Sequence, residues 1–353
     1  MPLDSSISFD RRDLEARLGR LEQLAGLQRS TLSDGPEAGV EQVTVRTGAG
    51  LAFTVLPTCG LDIARVEFCG TPISWHSPAG DVHPAGFDSR GLGWLRTTAG
   101  GMLMTCGLTQ VGSPCQDGGE ELGLHGRAHH TPARQAHAVG VWTEAGDYEM
   151  RVGGVIEEAV MFGARLRLTR VITARLGVNR ISIHDVVENC AFAPAPHMLL
   201  YHFNFGYPLL DAGIQIDFPS RRVIPREADL PLDGLGRWTL PDPDFREQVY
   251  YHEDLRTDPQ GWTRVSLRNP RFPLAGGALR MPVRVELVWD PRTLPRFVQW
   301  KMPGTGEHVL GIEPANCHVA GRAAERAGGT LVMLPPGEAL EYRLELSVGL
   351  DEA

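Results

Sequence analysis

The chain has 353 residues, 42% of them hydrophobic, and a formal net charge of −9 with a pI of about 5.7. This length allows one large domain or two ordinary ones, and the composition suits a globular chain with a sizeable core. The acidic balance, without any Lys/Arg cluster, excludes a nucleic-acid surface and argues against an anionic-membrane binder.

No apolar run approaches the ~18 residues that a membrane-spanning helix needs. The start, Met1 to Ser6, lacks the basic and apolar regions of a secretory leader. Cysteines stand at 59, 69, 106, 115, 190 and 317 with no CxxC pair. That spacing speaks against a zinc ribbon or thioredoxin-type site. Reduced, buried cysteines in a cytoplasmic protein are expected instead. Lys301 is the single lysine among many arginines.

Taken in chain order, the first predicted element is a helix between Asp10 and Gly26. Leu14, Leu18, Leu21 and Leu24 recur there at helical spacing. Ser8 or Asp10 can cap it and Gly26 can end it. Residues 1–39 are therefore read as a helical extension, and 40–353 as the main domain. From Val40 onward the pattern changes to short β runs broken by Gly, Pro, Asn and Asp. They begin at 42–46, 51–56, 61–68 and 73–76 and continue at 150–156, 165–173 and 180–187. Later runs cover 283–289, 297–302, 309–312, 329–334 and 339–348. This spacing predicts an all-β, antiparallel architecture. The stretch 211–252, rich in Pro, Asp and Arg, reads as an irregular excursion at the rim of a site.

Four segments carry candidate chemistry. In Arg90 to Met102, two arginines flank Trp94 ahead of a double glycine. Trp94 can stack on the C–H face of a sugar, and Arg90 or Arg96 can donate paired hydrogen bonds to its oxygens. In Gly123 to His130, His125, Arg127, His129 and His130 crowd a Gly-flanked turn, and Gly126 permits close approach to the backbone. In Leu199-Leu200-Tyr201-His202-Phe203-Asn204-Phe205, strand alternation puts Leu200, His202 and Asn204 on one face and the aromatics on the other. His197 falls on the face opposite His202. Finally, Glu313 sits in the apolar run Leu310-Gly311-Ile312-Glu313-Pro314, where burial of a carboxylate is costly without a partner. Lys301 in its own apolar run, and Arg322 as a weaker candidate, offer cations to a ligand.

These motifs resemble those of the aldose 1-epimerases of the galactose-mutarotase-like superfamily. The resemblance runs from about Val40 to the C-terminus. It rests on Gly60 to Arg65 with Gly70 to Trp75, on Leu124-His125-Gly126, on His202-Phe203-Asn204 and on Gly311-Ile312-Glu313-Pro314, in the superfamily's order. It implies a β-supersandwich, with His202 as general acid and Glu313 as general base. It further implies His125 as a substrate-binding histidine and Arg96 in the place of the substrate-binding arginine. Phe203 replaces the usual Tyr after the catalytic His. The motif that supplies a substrate-binding aspartate is absent, with Tyr250 to Asp254 as a local substitute.

The expected activity is anomer interconversion of a small carbohydrate by ring opening, with no metal or cofactor, nucleic acid or membrane involved. Arg90, Arg96, Arg127, Lys301 and Arg322 leave room for an anionic group on the sugar, and Asn204 shares the face of His202. Two further classes stand beside this. One is a metal-dependent sugar isomerase or lyase drawing ligands from His125, His129, His130, His197, His202 and Glu313. The other is a carbohydrate-binding protein without catalysis.

Overall fold

The computed structural model describes residues 9–351, and two large sheets dominate it. The path of the first runs Gly26–Thr31, Glu41–Arg46, Leu51–Leu56, Asp62–Phe68, Leu103–Leu108, Ala195–Phe205, Glu307–Ala315, Arg296–Gly304, Gln248–Leu255 and Ser220–Pro225. The second runs Gln215–Asp217, Thr263–Leu274, Leu279–Trp289, Ala339–Leu350, Arg180–Asn189, Arg165–Arg175, Tyr148–Ala159 and Arg134–Trp142. The architecture is the expected all-β, largely antiparallel sandwich.

Alternation explains how the sheets stack. In Arg165–Arg175 and Arg180–Asn189 every second residue is buried, so one face meets the core and the other meets solvent. Leu168, Ile172, Ile183 and Val187 thereby meet Leu199, Tyr201, Phe203 and Phe205 of the first sheet. Each such side chain contributes roughly 1.5–3 kcal/mol when fully buried. Ala195–Phe205 is buried along nearly its whole length. Its second face, through Met198 and Leu200, joins a smaller cluster with Trp94, Met104, Val249 and Val298. That second face of the first sheet carries the site.

The N-terminal segment departs from expectation. The helix covers only Arg11–Arg17, with Asp10 capping it through a 2.9 Å bond from the Asp13 N–H. None of its residues is buried, its one leucine, Leu14, is only partly covered, and a seven-residue helix has little to hold it. Gly26–Thr31 is instead a strand paired with Glu41–Arg46. The sheet thus begins well before residue 40.

The excursion is more regular than its composition implies. Ser220–Pro225 and Gln248–Leu255 pair with each other, and the latter also pairs with Arg296–Gly304. Among the described residues, no helix is long and apolar enough to cross a membrane. The six cysteines are all free, and Cys59, Cys106 and Cys317 are buried.

Candidate active site

The registers of three adjacent strands assemble the site. Phe203 pairs with Ile312, which sets His202 opposite Glu313. His202 also pairs with Met104 on one side, and Glu313 pairs with Val298 on the other. Met104, His202, Glu313 and Val298 therefore form one row across the sheet. This row floors a cavity of about 640 Å³, within the ~300–1,000 Å³ typical of small-molecule sites. Trp75, Trp94 and Trp300 contribute to its walls.

His202 Nε2 and Glu313 Oε1 lie 3.2 Å apart, both almost fully buried. The contact is close but not aligned as a hydrogen bond, and Glu313 Oε1 and His202 Nδ1 have no partner. Burial, and then the Glu247 carboxylate, hold the Glu313 carboxyl well above the usual range. Burial, and then His125, push His202 down to about 3. Both shifts favour the uncharged form of each group, an acid beside an imidazole.

Gly311 makes room for this pair. A Cβ there would stand 2.5 Å from Glu313 Oε1, 3.0 Å from Trp300 Cβ and 3.1 Å from His202 Cε1. The glycine two residues before the glutamate thus has a steric reason. His125 adopts a left-handed backbone, φ 55°, before Gly126 at φ 73°. Such conformations in non-glycine residues cluster at functional sites. A Cβ on Gly126 would meet the Gln110 and Gly107 carbonyl oxygens at 2.5 Å. His125 Nδ1 accepts from the Gly112 N–H at 3.3 Å, and its ring lies 6.0 Å from that of His202 and 4.9 Å from that of Trp94. Burial lowers His125 to about 4.

The cavity brings together His202, Glu313, His125 and Trp94 but not the other candidates. Arg90 and Arg96 are exposed, and Arg90 pairs with Asp88 at 3.2 Å. Arg127 lines a separate groove with Glu120, Glu121 and Glu158. The Lys301 ammonium turns to the opposite face of its strand and donates to the Gly234 carbonyl at 2.7 Å. Arg322 is buried against Asp117 and Glu120. The Asn204 amide donates to the Gly101 and His202 carbonyls, both at 3.1 Å, so it braces the strand.

The remaining histidines are also dispersed. His129 Nδ1 meets Asp62 at 2.7 Å and His130 Nε2 meets the Thr97 hydroxyl at 2.9 Å. His197 lies between the Leu108 carbonyl and the Tyr342 hydroxyl. Among the described residues, no three His, Cys, Asp or Glu side chains are grouped to hold a metal ion.

Among the cavity residues that escaped the sequence reading of the site are Trp300, Glu247 and Arg226. Trp300 Nε1 donates to Glu247 Oε2 at 3.1 Å, and Arg226 Nη2 donates to Glu247 Oε1 at 2.9 Å. The Trp300 ring stands edge-on to His202 at 5.5 Å and to Trp75 at 6.2 Å. Alternation in Arg296–Gly304 was the available signal: only one of Trp300 and Lys301 can face the cavity. The indole takes that place because an apolar wall favours an aromatic ring over a desolvated ammonium.

Residues 37–348 match the sequence model of a family described as a domain of unknown function, DUF4432. The chain belongs to this family. No curated protein matches it. Among solved structures, this DUF4432 protein is similar to a candidate aldose 1-epimerase from Klebsiella pneumoniae subsp. pneumoniae. The two are 28% identical with a TM-score of 0.82, over 92% of this chain and 83% of that one. The Slr1438 protein from Synechocystis sp. is 14% identical with a TM-score of 0.64, over 91% of this chain and 100% of that one. A galactose 1-epimerase from Lactobacillus acidophilus is 12% identical with a TM-score of 0.57, over 93% of this chain and 100% of that one. The last two likenesses are of fold alone.

Proposed function

We propose that this DUF4432 protein is an aldose 1-epimerase-like isomerase of the cytoplasm that interconverts the anomers of a reducing sugar. The observation that carries this reading is the His202–Glu313 pair, set opposite each other on the floor of an aromatic-walled cavity. The kinship of its fold with an aldose 1-epimerase candidate supports it.

Anomer exchange needs one proton removed from O1 and one delivered to O5. The neutral pair holds one transferable proton, and its ion-pair tautomer differs only by an internal shift. In that tautomer the Glu313 carboxylate takes the O1 proton while the His202 imidazolium protonates O5. The C1–O5 bond breaks as C1=O1 forms, leaving an aldehyde at C1 and a hydroxyl on C5. The C1–C2 bond rotates and the roles reverse on closure. His125 borders the same space and can hydrogen-bond a sugar hydroxyl. Trp300, Trp75 and Trp94 offer rings for its C–H faces.

The pair acts only while it holds one proton. Below about pH 3 a second proton adds to His202. Above the raised Glu313 value the pair loses its proton. The rate should therefore follow a bell whose alkaline limb lies above the ordinary carboxylate range. One-dimensional NMR of anomer exchange on aldoses, wild type beside His202→Asn, tests the reading. Loss of roughly 10²–10⁴-fold in the variant is expected. Sugar binding with no exchange in the wild type would leave a carbohydrate-binding protein instead.

A further inference from the structure

The cavity's inner and outer parts differ in chemistry. The floor holds Glu313 and His202, so a sugar reacting there points its anomeric carbon inward and its remote end toward the mouth. At the mouth, Leu92 precedes the turn Gly93–Arg96, Leu95 lies within it, and both line the wall. They are 60% and 57% exposed and give this part of the wall an apolar surface that a ligand can cover. Pro78, Ala79 and Pro114 continue the same wall.

Three hydroxyls of the lining are already engaged. Ser77 Oγ donates to the Thr98 carbonyl, Thr98 Oγ1 to the Trp94 carbonyl at 2.6 Å, and Ser113 Oγ to the Val319 carbonyl at 3.4 Å. A ligand hydroxyl set against the Leu92, Leu95, Pro78 and Pro114 side chains would lose water and find no partner among them. Charge points the same way. Arg226 is the one cation among the described lining residues, and Glu227 and Glu247 both bind it. Glu247, Glu307 and Glu313 line the cavity as well. A phosphate, sulfonate or carboxylate would meet carboxylates and no free cation.

We propose that the ligand is an uncharged reducing sugar whose end remote from the anomeric carbon is apolar, of the deoxy, O-alkyl or O-acyl class. Leu92 and Leu95 cover that end. The orientation rests on the proposed mutarotation, whereas the ligand class rests on the cavity walls.

The test compares four sugars with one ring configuration: an aldohexose, its 6-deoxy form, its 6-phosphate and its uronic acid. Binding is read by calorimetry and exchange by NMR, on the wild type and on the Leu92→Ser/Leu95→Ser variant. Both leucines are exposed, so the variant should fold. The 6-deoxy sugar should exceed the parent by roughly tenfold in kcat/KM, the scale of one apolar group in a pocket. The phosphate and the uronic acid should be weakest. The double variant should keep kcat for both sugars and raise KM more for the 6-deoxy sugar than for the parent, so that the preference between them is lost. Selective binding of the 6-deoxy sugar without exchange would support the ligand class while removing the mutarotase reading. Three results would overturn the ligand class. They are turnover of either anionic sugar at the parent's rate, a double variant that shifts oligomeric state but not KM, and no binding or exchange with any of the four.

Discussion

Tyr201 and His202 are neighbours in one strand, yet they face two kinds of buried polar environment. On the Tyr201 side, between the sheets, Arg170 binds Asp185 through Nε and Nη2 and Asp62 through Nη1 at 2.9 Å. The Tyr201 hydroxyl, the Thr105 hydroxyl and His129 complete the acceptors of those two carboxylates. On the His202 side, Glu313 Oε1 and His202 Nδ1 are left without partners. A satisfied buried network fixes a sheet pair in place. An unsatisfied one keeps bonding capacity for something that arrives later.

The largest effect should come from breaking the satisfied side. Arg170→Met leaves two buried carboxylates without their cation and should cost ~3–5 kcal/mol of stability. Denaturant unfolding reads this directly, and an unchanged midpoint would remove the contrast. On the other side, Gly311→Ala should cost less, ~1–3 kcal/mol of overpacking, but displace Glu313, His202 or Trp300. A shift approaching 1 Å there should lower exchange on the order of 10²-fold, measurable as kcat at saturating sugar. Trp300→Phe keeps a ring and removes the bond to Glu247. It should raise KM by the worth of one hydrogen bond, about 1 kcal/mol, with folding intact by thermal melt. Smallest of all, Arg90→Ala and Arg96→Ala should change kcat/KM by no more than ~0.5 kcal/mol, because neither lines the cavity. A large loss in Arg96→Ala would restore the role that the family resemblance implies for it.

The same contrast explains what was legible in the sequence. Strand alternation separates Tyr201 from His202 without any knowledge of the partner strands, and it also sends His197 to the core side. Glu313 announces itself because a carboxylate in Leu310 to Pro314 has no local partner. The fold class follows from many short β runs with Gly and Pro turns. Elsewhere the signal is not local. Whether Trp300 or Lys301 faces the cavity depends on which side of the first sheet stays open. Arg226 and Glu247 lie 21 residues apart, hydrogen-bonded across the irregular part of the excursion. Only the pairing of Ser220–Pro225 with Gln248–Leu255 brings them together. The N-terminal leucines mislead for a related reason. Helical spacing predicts a helix only when something covers its apolar stripe, and nothing buries Arg11–Arg17.

The most direct test of the central claim is anomer exchange in Glu313→Gln beside the wild type, each with its unfolding midpoint. The amide keeps the shape of the side chain and removes the base. The account predicts exchange lost by roughly 10²-fold or more, in a protein at least as stable as the wild type, since the substitution removes a buried ionisable group that lacks a partner. Unchanged exchange, or loss of exchange only in step with loss of folding, would contradict it.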